Sequence, residues 1–118
     1  MLADLQDEWH EEIPVARVRG EVDASNVKEI ADWLRDLLSN RSVAMVVDLS
    51  ETTYLDSAGI NMLFALGEEM RGRQQSLALV VGQGSPIDRV VSLTGLDQMV
   101  GVHATLPDAL GGTRQADV

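Results

Sequence analysis

Apolar residues recur with helical spacing in two segments of the chain, at residues 27–38 and 57–70. Spacings of i, i+3, i+4 and i+7 place these residues on one face and predict two amphipathic helices. The second helix is predicted to begin near Ser57 and to end at Gly72. Its apolar stripe is expected to lie on a sheet and consists of Ile60, Leu63, Phe64, Gly67 and Met70.

Two continuous apolar runs, at residues 43–47 and 77–81, predict buried strands. A strand that lacks polar alternation is covered on both faces, as strands of a parallel sheet are. Shorter apolar runs at residues 5–9 and 15–18 predict two neighbouring strands, and residues 100–102 predict a last edge strand.

A third helix is predicted to begin at Ser85 and Pro86, because serine can cap free N–H groups and proline fits the first helical position. Gly95 is suited to the left-handed residue that follows the end of this helix. A short terminal helix is expected near residues 107–110.

The order of these elements predicts an α/β fold, with a mixed β-sheet of four to five strands and helices packed on it. A chain of 118 residues is the size of one domain. We therefore expect a single domain over residues 1–110, followed by a disordered tail over residues 111–118.

The formal net charge of −10 disfavours nucleic acid as a partner, because phosphate contacts need clustered basic residues and Lys28 is the only lysine. A basic protein surface is a better candidate partner, although acidity alone also serves solubility. No apolar run reaches the roughly 18 residues of a membrane span, and cysteine is absent. These features predict a cytoplasmic protein without a membrane anchor.

Two polar loops precede predicted helices at the carboxyl ends of strands, where functional residues gather in α/β sheets. They are residues 20–25 and residues 49–59. In the second loop, Asp56 or Ser57 can accept a hydrogen bond from the first helical turn, which is a purely structural role. The same position also tolerates a phosphate on Ser57, because the N–H groups of a helix start favour anions.

Three segments of the sequence resemble the STAS domains, a family named for sulfate transporters and anti-sigma factor antagonists. They are Gly20-Glu-Val-Asp23, then Val46-Val-Asp-Leu-Ser50 leading into Tyr54-Leu-Asp-Ser-Ala-Gly59, and finally Ser85-Pro-Ile-Asp-Arg-Val-Val-Ser-Leu-Thr-Gly-Leu96. The similar segments span residues 5–106 in the order that the family shows.

The resemblance implies a free-standing anti-sigma factor antagonist, which binds an anti-sigma factor of the serine-kinase type and so releases a sigma factor. It implies that the kinase phosphorylates Ser57, and that Asp56 and Asp23 are the acidic residues of the two loops. Ala58 stands where a second serine is often found. Thr52 and Thr53 are candidate secondary acceptors, although a solvated loop is the better account of them.

We therefore expect a binding protein rather than an enzyme, with no cofactor and no metal. Its partners would be the anti-sigma factor kinase and a phosphatase that resets the switch, and the domain itself would be a monomer or a weak homodimer. The docking surface is predicted to comprise Asp23, Asp56, Ser57 and the exposed residues Ala58, Asn61 and Met62. The alternative is a STAS scaffold subunit of a transporter or sensory complex, in which Ser57 is not a switch.

Other functions meet specific objections in the sequence. A two-component receiver would use Asp48 as its acceptor, but it also needs a lysine near its last strand, and Lys28 lies on the first helix. A serine hydrolase needs Gly-x-Ser-x-Gly, but Leu55 stands two residues before Ser57. Nothing in the sequence brings a histidine base to Ser57; the candidates are His10 and His103.

Nucleotide and metal sites are also disfavoured. Gly82-Gln-Gly84 follows a strand and precedes a helix, but Ile87 occupies the third glycine position of the dinucleotide fingerprint. A turn is therefore the better interpretation of these glycines. Two distant histidines and scattered carboxylates give no metal-ligand spacing.

Overall fold

The computed structural model describes residues 3–39 and 41–115. Its strands are β1 (Ala3–His10), β2 (Ile13–Val22), β3 (Ala44–Asp48), β4 (Thr52–Leu55), β5 (Ser76–Val80) and β6 (Gly101–His103). Its helices are α1 (Val27–Leu37), α2 (Ser57–Gly72), α3 (Pro86–Thr94) and α4 (Leu106–Gln115), with a 3₁₀ turn at Leu96–Gln98.

The strands form one mixed sheet in the order β1-β2-β3-β5-β6. β1 is antiparallel to β2, whereas the pairs β2–β3, β3–β5 and β5–β6 are parallel. β4 pairs in parallel with the carboxyl-terminal half of β2, beyond the residues that pair with β3. The predicted α/β fold is confirmed, and the described part of the chain has six strands in place of the four to five expected.

Both faces of the central strands are buried, as their continuous apolar runs predicted. In β3, Met45 and Val47 belong to the larger core, while Val46 belongs to a second cluster on the opposite face. The larger core also receives the buried residues of α1, α2 and α3, and the second cluster receives Ala109 and Leu110 of α4. Three helices therefore cover one face of the sheet, and α4 covers part of the other.

The predicted loop at residues 49–59 is partly wrong, because it contains strand β4. A turn after β3, in which the Asp48 carboxylate accepts the Ser50 N–H over 2.9 Å, directs the chain back toward β2. The buried Thr52 hydroxyl then donates to the Val18 carbonyl over 2.7 Å. The four-residue strand lacks polar alternation and depends on this contact with a distant strand, so sequence periodicity does not reveal it.

The predicted tail at residues 111–118 also needs correction. α4 extends through Gln115, beyond the predicted helix at residues 107–110. Thr113 is buried, and its hydroxyl donates to the Leu110 carbonyl over 2.8 Å within the last turns of the helix. Consecutive glycines at 111 and 112 suggest a break in the sequence, but packing of the neighbouring residues overrides this weak propensity. Residues 116–118 lie outside the described residues.

Both ends of α3 agree with the sequence. The Ser85 hydroxyl accepts the Asp88 N–H over 3.2 Å, and Gly95 follows the helix with φ of 81°. The Gly84 N–H donates to the Asp88 carboxylate over 2.8 Å. The two glycines before α3, Gly82 and Gly84, therefore belong to a turn that this hydrogen bond closes. Over the described parts of the chain, no helix combines the length and apolarity needed to cross a membrane.

Candidate functional site

The parallel pairing of β2 and β4 brings the two polar loops to the same edge of the sheet. Val22 pairs with Leu55 at the carboxyl ends of these strands. Directly beyond this pair, the Asp56 N–H donates to the Val22 carbonyl over 3.2 Å. Asp23 and Asp56 therefore follow adjacent strands and lie side by side. The sequence alone does not predict this contact, because it does not predict β4.

Asp56, rather than Ser57, caps α2. Its carboxylate accepts the Gly59 N–H over 3.1 Å, and its carbonyl accepts the Ile60 N–H over 3.0 Å. Ser57 is the first helical residue, and its side chain is exposed. Among the described residues, the Ser57 hydroxyl has no hydrogen-bond partner, so the cap does not consume it.

Gly59 allows α2 to begin close against the sheet. A Cβ atom at this position would overlap Leu55 Cδ1 and would lie 3.0 Å from Val22 Cγ1. Both neighbours are buried at the ends of β2 and β4. The glycine therefore fixes the first turn of α2, and with it Ser57, against the two strands that carry the acidic loops.

The loop that carries Asp23 is held by Asn26, which is only 2% exposed. The Asn26 side chain accepts the Asp23 N–H over 3.0 Å and donates to the Glu21 carbonyl over 2.8 Å. Although an asparagine directly before a helix is typical of an N-cap, the Asn26 side chain makes no cap bond with α1. It is a positioning residue of the loop, and asparagine directly before a helix was the available signal.

The Asp23 carboxylate interacts with Ser25 at the loop surface. It accepts the Ser25 N–H over 2.9 Å and also receives the Ser25 hydroxyl. These hydrogen bonds, with the hydroxyl contributing most, hold the pKa of Asp23 below its ordinary value. Asp23 therefore carries a negative charge at the edge of the sheet near neutral pH.

An open, largely apolar groove of about 470 Å³ runs between α2 and α3 beside Ser57. The α2 side is formed by Ser57, Ile60, Asn61 and Phe64, and the α3 side by Val90 and Thr94, with Leu55 and Asp56 at the end. Sequence reasoning did not predict this groove. It requires the approach of two helices that lie far apart in the chain, which no local pattern reports.

The residues predicted on α2 divide between two stripes. Asn61 is exposed and lines the groove with Ser57, but Ala58 and Met62 do not line it. Both are partly buried rather than exposed as predicted, and Met62 packs against the core. Phe64, expected to lie on the sheet, is also only partly buried, because its side chain lines the open groove.

The remaining candidate residues are placed as follows. Thr52 is buried with its hydroxyl bonded, whereas Thr53 is exposed on β4. His10 at the end of β1 contacts Glu8, and His103 on β6 packs against two glycines; neither lines the groove. Within residues 3–39 and 41–115, no group of three or more acidic or histidine residues is arranged to hold a metal ion.

Comparisons with known proteins agree with this architecture. A family model described as "Mlab, STAS domain" matches residues 5–101. The anti-sigma-F factor antagonist RsfB of Mycobacterium tuberculosis is 31% identical over 105 residues, which cover 89% of this chain and 84% of that protein. Osmosensory protein A of the same species is 37% identical over 78 residues, covering 66% of this chain and 49% of that protein.

The solved structures point to the same fold. The crystal structure of an anti-sigma factor antagonist from Mycobacterium paratuberculosis superposes with a TM-score of 0.85 and 28% identity. The match covers 95% of this chain and 94% of that one. The chain therefore belongs to the STAS domain family, which confirms the resemblance seen in its sequence motifs.

Proposed function

We propose that this protein is an anti-sigma factor antagonist of the cytoplasm, switched by phosphorylation of Ser57. Unphosphorylated, it binds an anti-sigma factor of the serine-kinase type and thereby frees a sigma factor. Phosphorylation ends this association, and a phosphatase restores it. The observation that carries the proposal is an exposed serine hydroxyl at the start of α2, left free because Asp56 provides the cap.

The chemistry of the switch follows from the kinase partner, which supplies ATP. The bond between Ser57 Oγ and the γ-phosphorus forms as the bond from that phosphorus to the β,γ-bridging oxygen breaks. ADP leaves, and the hydroxyl proton passes to a base of the kinase. At the start of α2, the N–H groups of Ser57 and Ala58 have no acceptor among the described residues, which favours a nearby anion.

The modified domain is therefore expected to stay folded while its surface charge changes. A phosphate adds roughly −1.5 to −2 charges. Against a partner carboxylate about 5 Å away, at an effective dielectric of about 20, each charge costs about 3 kcal/mol before screening by salt. Asp23 and Asp56 already make this edge of the sheet acidic. The added charge is thus large enough to weaken binding about a hundredfold.

The alternative function, a scaffold subunit without a switch, receives less support. The match to RsfB extends over 84% of a relative that is itself named an anti-sigma factor antagonist. Within residues 3–39 and 41–115, the Ser57 hydroxyl also makes no hydrogen bond that would give the serine a structural role.

Binding titrations with Ser57 variants test the proposal. The kinase-type anti-sigma factors of the same organism are purified individually and titrated with the wild-type protein, Ser57→Ala and Ser57→Asp. We expect Ser57→Ala to bind like the wild type, and Ser57→Asp to bind about tenfold to a hundredfold more weakly.

A matched control is Ser92→Asp, which adds the same charge at an exposed serine of α3 that does not line the groove. Its affinity should stay within about twofold of the wild type, because screened charges at a distance contribute little. Equal affinity of Ser57→Asp and the wild type, or equal weakening by both aspartate variants, would contradict the proposed switch.

A further inference from the structure

An exposed leucine lies on α3, the helix that forms one wall of the groove. Leu93 is 80% exposed, more than any other large apolar residue among the described exposed ones, which are Trp9, Val43, Tyr54 and Leu93. Val90 and Thr94 line the groove from α3, and residues at i, i+3 and i+4 share one helix face. Leu93 does not itself line the groove, but its i+3 spacing from Val90 places it next to the α3 wall on the solvent side.

The groove is continuous with the position of the proposed switch. Ser57 and Asn61 belong to its wall, and Asp56 lies at its end. A partner that contacts the Ser57 hydroxyl is therefore within reach of Phe64 and Val90, because these side chains line the same groove. Pockets that exclude water are where interface hot spots concentrate.

The charges of the lining define the chemistry of the occupant. Asp56 is the only charged residue in the lining, and within the described part of the chain its carboxylate makes no ion pair. An occupant that places a basic side chain beside Asp56 would satisfy this carboxylate. A second copy of this chain is a poorer fit, because each copy carries a net charge of −10 and the two would repel.

We propose that this groove receives an apolar side chain of the anti-sigma factor, with a neighbouring basic side chain placed beside Asp56. The inference rests on the proposed function. The interface would then have two parts, which are an apolar anchor held between Phe64 and Leu93 and a polar part at Ser57. Phosphorylation acts on the polar part, where the added charge lies at the mouth of the groove.

The decisive variant is Leu93→Glu, compared with Val43→Glu as a matched control. Val43 is 41% exposed and precedes β3 at the amino-terminal edge of the sheet, opposite the edge that carries Ser57. Both changes replace an exposed apolar side chain by the same charge. The probe is the anti-sigma factor that binds the wild type in the titrations above.

We expect Leu93→Glu to weaken binding about tenfold or more, and Val43→Glu to change it less than about twofold. Both variants should melt near the wild-type temperature, because both sites are exposed. Independently of any variant, the amide NMR signals of Val90, Leu93 and Thr94 in the wild type should shift when the anti-sigma factor is added.

A second arm tests the basic neighbour. Asp56→Asn keeps a good N-cap and removes the charge. We expect several-fold weaker binding with a reduced dependence on salt, as for the loss of an interfacial charge pair. If the affinity and its salt dependence are unchanged in Asp56→Asn, the proposal that a basic side chain lies beside Asp56 is wrong.

Three outcomes overturn the groove proposal. If Leu93→Glu binds like Val43→Glu and the α3 amides do not shift, the groove is not part of the interface, while the Ser57 switch stands. If the wild type is a dimer that Leu93→Glu dissociates without loss of partner affinity, the occupant is a second copy. If the wild type binds none of the anti-sigma factors, the proposed function fails and the groove proposal fails with it.

Discussion

The Asp56 N–H donates to the Val22 carbonyl over 3.2 Å, immediately beyond the last residue pair of β2 and β4. This bond joins the start of α2 to the start of the Asp23 loop. The start of α2, which carries Ser57, therefore keeps a fixed position relative to the Asp23 loop. The proposed switch depends on this relation, because a partner must meet Ser57 and the acidic loop together.

Gly59 provides a direct test of how tightly α2 is seated on those strands. Gly59→Ala should lower the free energy of unfolding by about 1–3 kcal/mol, because the new methyl group overlaps Leu55 and crowds Val22. Urea denaturation measures this change. The control is Gly72→Ala at the other end of α2, where a Cβ atom meets nothing within 4 Å. Equal stability of the two variants would show that the close seating is not needed.

Substitutions at Asn26 and Asp23 should have different effects, the first on stability and the second on binding. Asn26→Ala leaves the Asp23 N–H and the Glu21 carbonyl without their partner in a buried setting. It should cost about 1–3 kcal/mol of unfolding free energy. Asp23→Ala should instead affect mainly partner binding or phosphorylation, because its carboxylate interacts only at the surface. A large fall in melting temperature for Asp23→Ala would assign that carboxylate a structural role.

The pKa of Asp23 should respond to Ser25. Ser25→Ala removes the hydroxyl that chiefly lowers this pKa, so the pKa should rise toward its ordinary value. A carboxylate whose pKa is lower in the folded state stabilises the fold above its unfolded pKa, and this contribution is lost as pH falls through the folded value. A carbon-13 NMR titration of the Asp23 carboxyl measures the shift, with Ser92→Ala as the control. An unchanged pKa in Ser25→Ala would contradict the assigned cause.

Leu63 and Phe64 should differ in their contribution to stability, although both belong to the apolar stripe of α2. Leu63 is 1% exposed, and Leu63→Ala should cost about 2–5 kcal/mol. Phe64→Ala should cost only about 1–2 kcal/mol, because its ring already faces the open groove. A fully buried phenylalanine would instead cost about 3–5 kcal/mol. Chemical denaturation of the two variants decides between these values.

Much of the fold was predictable from the sequence because local patterns determine it. The apolar runs of β3 and β5, the stripe of α2 and the cap at Ser85 all depend on residues close together in the chain. Gly95 likewise follows from the backbone conformation that only glycine adopts easily. These elements lie where the sequence predicted them.

The parts that were missed depend on contacts between distant residues. β4 exists because Thr52 and Leu55 meet β2, and the groove exists because Phe64 and Val90 approach from different helices. Leu93 was the one local signal of this surface, since it is an apolar residue away from the buried face of α3. The motif at residues 54–59 identified the candidate serine, but the sequence could not tell that Asp56 alone would provide the cap.

The central claim is tested most directly by intact-mass analysis of the protein after incubation with ATP and the anti-sigma factor that binds it. The account predicts that the wild type gains one phosphate and that Ser57→Ala gains none while still binding that partner. A phosphate on Ser57→Ala, or an unmodified wild type, would contradict the claim that the hydroxyl at the start of α2 is the switch.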